Sequence, residues 1–403
     1  MRILFVTPEL PFPPDSGLVL QVRAVVEELR ARHEVCLVGY HWPGREAIAI
    51  DGVEMHAVQA PPTRLAARGS DWLRSGISGR PMAVRPFTEG LRPAVDRLVA
   101  EQRFDVAHVS SSVLADLHSS VGSLPAVLAA LDAWHLNMAA SAAIGNPLLR
   151  PLRRLEVRRV RRWEATALRR FPLVVFITEQ DDRAVLALDP TLHTAVIPNG
   201  VDTVFFAPDP AVTPDPGRLV FTGALGYPPN IAGASFLARD VLPRVREQVP
   251  AAHATIVGRA PGPPVLRLAE LSGVEVVGDV PDIRTWLHRA DVFASTMVSG
   301  TGIKNKLLEA LACGTPAVAT TLSCQGMDVR DGEQLLIADG ERAFAQAAVR
   351  LLGDPELRAR LAHAGRRYVI EHHSWAAVAR AYEDVYAEVV TLHRDAAGVA
   401  PPA

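Results

Sequence analysis

The sequence predicts an α/β fold, a doubly wound parallel sheet built twice along one chain. Three observations carry that expectation. Short apolar runs of strand length alternate with amphipathic stretches of helix length over nearly the whole chain. A proline-dense segment, PDPAVTPDPG from Pro208 to Gly217, divides the alternation into two similar parts. Residues 300–320, GTGIKNKLLEALACGTPAVAT, together with the apolar run Ala290 to Thr296 before them, read as one complete βαβ unit.

In the first half, Arg2 to Thr7 reads as a buried strand, and a Pro-rich loop from Pro8 to Gly17 follows it. Val19 to Arg32 is amphipathic with helical period, and His33 to Gly39 is the next strand. A loop after a first strand lies at the carboxyl edge of such a sheet, where ligands bind. Gly17 therefore reads either as a glycine that brings backbone N–H groups to a phosphate or as a plain turn glycine. Val53 to Gln59 is a further strand, and Pro61 to Pro86 is irregular and rich in Arg, Gly and Pro. Phe87 to Glu101 and Ser110 to Ser119 read as helices flanking a strand from Asp105 to Val109. The strand Ala126 to Leu131 delivers Asp132, Trp134 and His135 to the same sheet edge. Arg150 to Arg170 is an arginine-rich helix with only Glu156 and Glu164 opposing the charge. Its Leu152, Leu155, Val160 and Trp163 suggest one buried side. The charged remainder reads as a solvated face or as a contact for anionic lipid or an anionic acceptor. Leu173 to Thr178 and Thr194 to Pro198 are strands, with a helix opened by Thr178 between them.

The second half repeats the pattern. Strands are expected at Arg218 to Thr222, Ala254 to Val257, Val274 to Val277, Ala290 to Thr296, Ala317 to Ala319 and Gln334 to Ile337. Helices fall within Pro229 to Val249, at Pro264 to Ser272, Ile283 to Ala290 and Lys304 to Cys313, and over most of the remainder, ending with Trp375 to His393. Gly314 suits the end of the Lys304 helix and Pro316 stops it. The expected division is a domain over residues 1–207, a linker over 208–217, a second domain over 218–374, and a final helix and tail over 375–403.

Composition narrows the function. The 403 residues carry a net charge of −2, which argues against nucleic acid as the main partner. The three cysteines, Cys36, Cys313 and Cys324, lack metal-ligand spacing and suit a reducing cytoplasm. The start, MRILFVTPEL, reads as a first strand rather than a signal peptide, and no apolar run reaches membrane-spanning length.

The chemistry concentrates in residues 300–320. The first turn of a helix carries free N–H groups and the positive end of the dipole, which together bind phosphate. Lys304 and Lys306 add charge there, and Glu309, slightly further in, can accept hydrogen bonds from sugar hydroxyls. That combination suggests a nucleotide-sugar site. The competing readings are a glycine turn that serves packing only, and a dinucleotide fingerprint. Gly300 and Gly302 match the first two glycines of the fingerprint, but Asn305 occupies the third position and the unit comes late in the chain.

The residues resemble a known family. IPNGVDTVFFAP, FTGALGYPPN, ATIVGRAP, VEVVGDVPDIRTWLHRADVFAST, GTGIKNKLLEALACGTPAVATT and DGEQLLIADG, then HHSWAAVARAYEDVY, follow in the order and spacing of GT-B glycosyltransferases of family GT4, the glycosyl transferases group 1. ILFVTPELPFPPDSG and FPLVVFITEQDDRAV extend a looser likeness to the first half. The resemblance implies two Rossmann-like domains facing a cleft, with the last helix crossing back to the first. It implies a nucleoside-diphosphate sugar as donor, a hydroxyl acceptor, retention of anomeric configuration, and neither cofactor nor metal. The chain accordingly has no Asp-x-Asp triplet. Glu309 matches the second glutamate of the family's E-x7-E motif, whereas the first falls at Thr301, so its sugar-binding carboxylate is missing. The basic pair that many relatives place after the second domain's first strand, following Gly223, is absent from Ala224 to Asn230, and Lys304 and Lys306 are the substitutes. Gly258 and Arg259 match the base-proximal loop, Val280 a position whose backbone pairs with the base, Gly17 the glycine loop near the diphosphate, and Gly302, Ile303 and Asn305 the donor turn. In place of the family's histidine after the Ala126–Leu131 strand stand Asp132 and, a few residues on, His135, as candidates to orient sugar or acceptor; the alternatives are a helix N-cap for Asp132 and a satisfied structural histidine for His135. A nucleotide-sugar 2-epimerase and a binding-only GT-B subunit stay open beside the transferase.

Overall fold

The structure is a computed structural model. It describes residues 1–12, 17–61, 81–82, 84–143, 150–300 and 302–397, with no side-chain account at residues 85, 86, 140–143 and 397. Most of the expected irregular stretch from Pro61 to Pro86, and Thr301, lie outside the described residues. The chain divides into two compact units, residues 1–198 with 378–403, and residues 199–377.

The first unit is a seven-stranded sheet in the order β3-β2-β1-β4-β5-β6-β7. Its strands are β1 Arg2–Thr7, β2 Glu34–His41, β3 Glu54–Gln59, β4 Val106–Ser110, β5 Ala126–Leu131, β6 Leu173–Phe176 and β7 Thr194–Val196. Every pairing is parallel. That is why β1, β4, β5 and β6 read as continuous apolar runs, since a parallel sheet is covered on both faces. The covering helices include α1 Gly17–Leu29, α2 Val84–Glu101, α3 Trp134–Ala143, α4 Arg150–Ala167 and α5 Glu179–Leu186. The expected helix from Ser110 to Ser119 is instead a 3-10 segment, Ser112–Leu117, running into a single turn, His118–Val121.

The sequence offered Asp132 as the cap of a helix here, but the start of helix α3 is capped from elsewhere. The Glu164 carboxylate accepts from the backbone N–H of Trp134 at 2.7 Å and of His135 at 3.0 Å, and Asp181 accepts from that of Ala133 at 3.0 Å. Carboxylates at a helix N-terminus satisfy its orphan donors and complement its dipole. Glu164 is therefore fully buried, and it turns the Val160, Trp163, Ala167 stripe of α4 inward. Leu152 and Leu155, expected on that buried side, are 41% and 43% exposed; the buried stripe, Val160, Trp163, Glu164 and Ala167, lies in the C-terminal half of the helix, and the leucines are in its first two turns.

The second unit is a six-stranded parallel sheet in the order β10-β9-β8-β11-β12-β13. Its strands are β8 Arg218–Thr222, β9 His253–Gly258, β10 Val274–Gly278, β11 Val292–Ser295, β12 Ala317–Ala319 and β13 Leu336–Ile337. Helices include α6 Pro228–Phe236, α7 Leu242–Gln248, α8 Arg284–His288, α9 Asn305–Ala312, α10 Glu341–Gly353, α11 Pro355–His373 and α12 Trp375–Ala397. In both sheets the order reverses beside the first strand, between β1 and β4 and between β8 and β11. That reversal is where α/β sheets open a crevice for ligands.

The division falls at Asn199, not within the proline-dense segment. Val201 is buried in the second unit's core and donates its N–H to the His373 carbonyl at 2.7 Å, and Gly200 lies flat against Trp375. Asp215, in the expected linker, accepts two hydrogen bonds from Arg289. Residues 199–217 thus belong to the second unit, while α12 passes from it into the first at Val378.

Candidate active site

The site is assembled where four strands of the second unit end. A cavity of about 610 Å³ is lined by Thr222 to Ala224, Tyr227, Pro229 and Asn230 at and after the end of β8, by Gly258 and Arg259 at the end of β9, by Val280 to Ile283 after β10, and by Met297, Gly300, Ile303 to Lys306 and Glu309 after β11, with Phe205 from the preceding segment. All belong to the second unit. Of the residues singled out in the sequence, Gly223, Gly258, Arg259, Val280, Ile303, Lys304, Asn305, Lys306 and Glu309 come together here. Gly302 shapes the turn with φ of 74° but does not line the cavity. Thr301 lies outside the described residues. Gly17, Asp132 and His135 belong to the first unit, and the cavity is built without them.

Backbone approach explains two of the glycines. A Cβ on Gly258 would stand 1.6 Å from the Gly223 carbonyl oxygen, so β8 and β9 meet only because that position has no side chain. Gly223, with φ of 156°, leaves room for the Lys306 ammonium and the Asn230 amide, each 2.8 Å from where its Cβ would be.

Lys306 is the best-defined cation. Its Nζ donates to Asn230 Oδ1 at 2.7 Å, lies 4.2 Å from the centre of the Phe221 ring and sits 3.5 Å from Met297 Sδ. Asn230 is itself fixed, its Nδ2 donating to the Ala224 carbonyl at 2.9 Å. Burial lowers the Lys306 pKa to about 7, against the raising influence of Glu309. Burial likewise raises Glu309 to about 7, against the lowering influence of Lys306. The two lysines divide their work. Lys304 donates to the carbonyls of Gly300 and Gly302, so it ties its own turn together, and burial lowers its pKa to about 8.

Helix α9 opens onto this cavity with no side-chain cap at its start. Leu307, Leu308 and Leu311 anchor its other face in the core. Two residues lining the cavity, Asn305 and Thr222, carry side-chain oxygens, Oδ1 and Oγ1, that are buried without a hydrogen-bond partner among the described residues. Orphans of that kind are rare in folded proteins and are at home where a polar ligand completes them. The sequence reading missed Asn230, Thr222, Asp282 and the exposed aromatics Phe205 and Tyr227. The Tyr-Pro-Pro-Asn turn was the one signal that could have found Asn230, through its proximity to the end of β8.

In the first unit, His135 is buried and its Nδ1 donates to Glu164 Oε2 at 2.7 Å, which fixes the ring. Asp132 follows Leu131, whose φ is 72°, at the end of β5. Burial raises its carboxyl to about 6, with the nearby Asp181 charge adding and an Asn137 hydrogen bond opposing. It does not cap α3, because Glu164 and Asp181 do so.

A family model described as glycosyl transferases group 1 matches residues 216–354, and one described as glycosyl transferase 4-like domain matches residues 16–200. The chain is 34% identical over 204 residues to a phosphatidyl-myo-inositol mannosyltransferase of Mycobacterium leprae, covering 48% of this chain and 54% of that one. To the protein of the same name from Mycolicibacterium smegmatis it is 27% identical over 417 residues, covering 96% and 94%. Among solved structures it is similar to sucrose-phosphate synthase from Thermosynechococcus elongatus, with a TM-score of 0.68 at 17% identity over 97% and 99% of the two chains. It is also similar to Anabaena HepE in complex with UDP and glucose, with a TM-score of 0.62 at 16% identity over 96% and 100%.

Proposed function

The chain belongs to the glycosyl transferases group 1 family and has the GT-B fold, and on that premise we propose that it moves a sugar from a nucleoside-diphosphate sugar to an acceptor hydroxyl, with retention of configuration and without a metal or other cofactor. The observation that carries the reading is Lys306. Its amine is held by Asn230 beside the uncapped start of α9, one turn from Glu309, where a bound diphosphate would favour the ammonium. In the reaction the bond from the anomeric carbon to the diphosphate oxygen breaks, and the acceptor oxygen bonds to that carbon. The acceptor's proton passes to the departing diphosphate. Negative charge grows on the diphosphate, and a preorganised ammonium and backbone N–H groups stabilise it more in the transition state than in the ground state. Glu309 is assigned to the donor's hydroxyls, and the orphaned Asn305 and Thr222 atoms suit a ligand rich in hydroxyls and phosphates. Asp132, and His135 oriented by Glu164, are assigned to sugar or acceptor, and the Gly17 loop to the diphosphate.

The relatives' names support an acceptor hydroxyl carried on a lipid headgroup. Among the described residues no helix is long and apolar enough to cross a membrane, so such an acceptor would be met by surface contact. The cysteines are buried and unpaired, which supports a reducing cytoplasm.

The test is calorimetry with UDP, GDP, ADP and dTDP, alongside a screen of the corresponding sugars for transfer and slow hydrolysis. One nucleoside diphosphate is expected to bind. Lys306→Ala is expected to lower turnover on the order of a hundredfold, the scale of one lost transition-state donor. Binding of none of them overturns the reading.

A further inference from the structure

We propose that Phe205 is the platform on which the base of the donor nucleotide stacks. The proposal rests on the donor-site reading and adds the residue that holds the end of the donor remote from the reacting bond. Phe205 and Phe206 are neighbours in the chain, and a tight turn sorts them. Asp202 Oδ1 accepts from the backbone N–H groups of Val204 at 3.0 Å and Phe205 at 2.8 Å, and the Asp202 carbonyl accepts from that of Phe206 at 2.8 Å. The turn packs Phe206 against the core of the second unit and leaves Phe205 46% exposed, lining the cavity.

The Phe205 ring is nonetheless held. The Arg284 guanidinium carbon lies 3.8 Å from its centre, Arg284 Nη1 donates to the Phe205 carbonyl at 3.0 Å, and the Phe206 ring meets it at 86° with centres 5.0 Å apart. Arg284 is itself forked onto the Asp282 carboxylate, through Nε at 3.0 Å and Nη2 at 2.6 Å. A ring ordered before its ligand arrives loses little freedom on binding. A single exposed phenylalanine on an open surface would carry no inference. This one is fixed, and it borders the same cavity as Lys306.

Its place along that cavity identifies what it meets. Lys306 lies over Phe221 of β8 and against Asn230 just after that strand. Phe205 is tied through Arg284 and Asp282 to the segment after β10. The sheet places β9 between those two strands, so the two ends of the site stand two strand spacings, roughly 10 Å, apart. A nucleoside diphosphate has that layout, with charge at one end, a flat π-face at the other and a pentose between. With Arg284 against the ring, a base stacking on its exposed remainder adds aromatic stacking to a cation–π contact already made.

The experiment repeats calorimetry on Phe205→Leu and Phe205→Tyr, with the nucleoside diphosphate among UDP, GDP, ADP and dTDP that the wild type binds. Stacking is worth roughly five- to a hundredfold in affinity per base. Phe205→Leu keeps an apolar side chain without a π-face, so it should bind on the order of tenfold more weakly, whereas Phe205→Tyr should stay within about twofold of wild type. The base lies away from the breaking bond, so its contact is equal in ground and transition states. Hydrolysis of the corresponding sugar by Phe205→Leu should therefore show a raised KM with kcat unchanged, the opposite of the fall in turnover expected for Lys306→Ala. Circular dichroism of both variants should match wild type, because the ring is at the rim and not in the core. Phe205→Leu binding as tightly as wild type overturns the proposal and leaves the donor-site reading intact. So does an equal loss in Phe205→Tyr, or a fall in kcat with KM unchanged. A wild type that binds no nucleoside diphosphate overturns both.

Discussion

At the scale of single residues, Lys306 and Glu309 are ionisable groups held against their ordinary preference by burial. Lys306 drops from 10.5 to about 7, so between those values the unfolded chain holds a proton that the folded protein lacks. Stability from this group is therefore present above pH 10.5 and is lost as pH falls through about 7. Glu309 rises from 4.5 to about 7, so its contribution is present below pH 4.5 and is lost as pH rises through about 7. The pair's combined contribution is lowest near pH 7 in the ligand-free protein. In Glu309→Gln the decline between pH 4.5 and 7 is expected to vanish from a plot of Tm against pH. A diphosphate would favour the Lys306 ammonium, so binding near pH 8 should take up a proton. Calorimetry in buffers of different ionisation enthalpy reads this directly, and zero uptake would remove Lys306 from the phosphate.

At the scale of elements, the glycines differ in what they do. Gly258→Ala drives a methyl into the Gly223 carbonyl, a backbone clash that no rotamer relieves. It is expected to cost about 3 kcal/mol or more, the upper end for overpacking, read as a fall in the denaturation midpoint. Gly17 opens α1 with nothing near its missing Cβ. Gly17→Ala should therefore stay within about 0.5 kcal/mol of wild type in stability, and any loss of turnover then reports the loop's role with donor rather than folding. Most elements were legible because a parallel strand is a short apolar run and a covering helix has a 3.6-residue period. Helix α3 was legible only as a possible cap at Asp132, since its start is held by the carboxylates of Glu164 and Asp181, residues some thirty and fifty positions away.

At the scale of the whole molecule, α12 carries the chain from the second unit back into the first. There Tyr382 and Tyr386 are buried around His108, which stacks on Phe5 at 4.0 Å and receives the Tyr386 hydroxyl at its Nδ1 at 2.8 Å. Burial lowers His108 to about 3, so it serves as a neutral core group. Tyr386→Phe is expected to cost about 1 kcal/mol, one neutral hydrogen bond. Ending the chain after Ala377 removes both tyrosines, and each such loss costs about 3–5 kcal/mol. Limited proteolysis of that truncated chain should cut residues 1–198 while every residue lining the cavity at the start of α9 remains in the second unit. Equal protection of both units would contradict this division.

The sequence by itself determined the two doubly wound sheets, the βαβ unit at residues 300–320, and the position of Lys306 and Glu309 on it. All of these rest on local periodicity, turn residues and spacing, which a linear reading sees. Only the tertiary structure decided that Lys304 ties its own turn, that Asn230 holds Lys306, and that the chain divides at Asn199 instead of at the prolines. The βαβ unit began as one phosphate-binding turn among several candidates. It became a site because segments from four strand ends converge on it, and convergence across the sequence is a property of the folded chain alone.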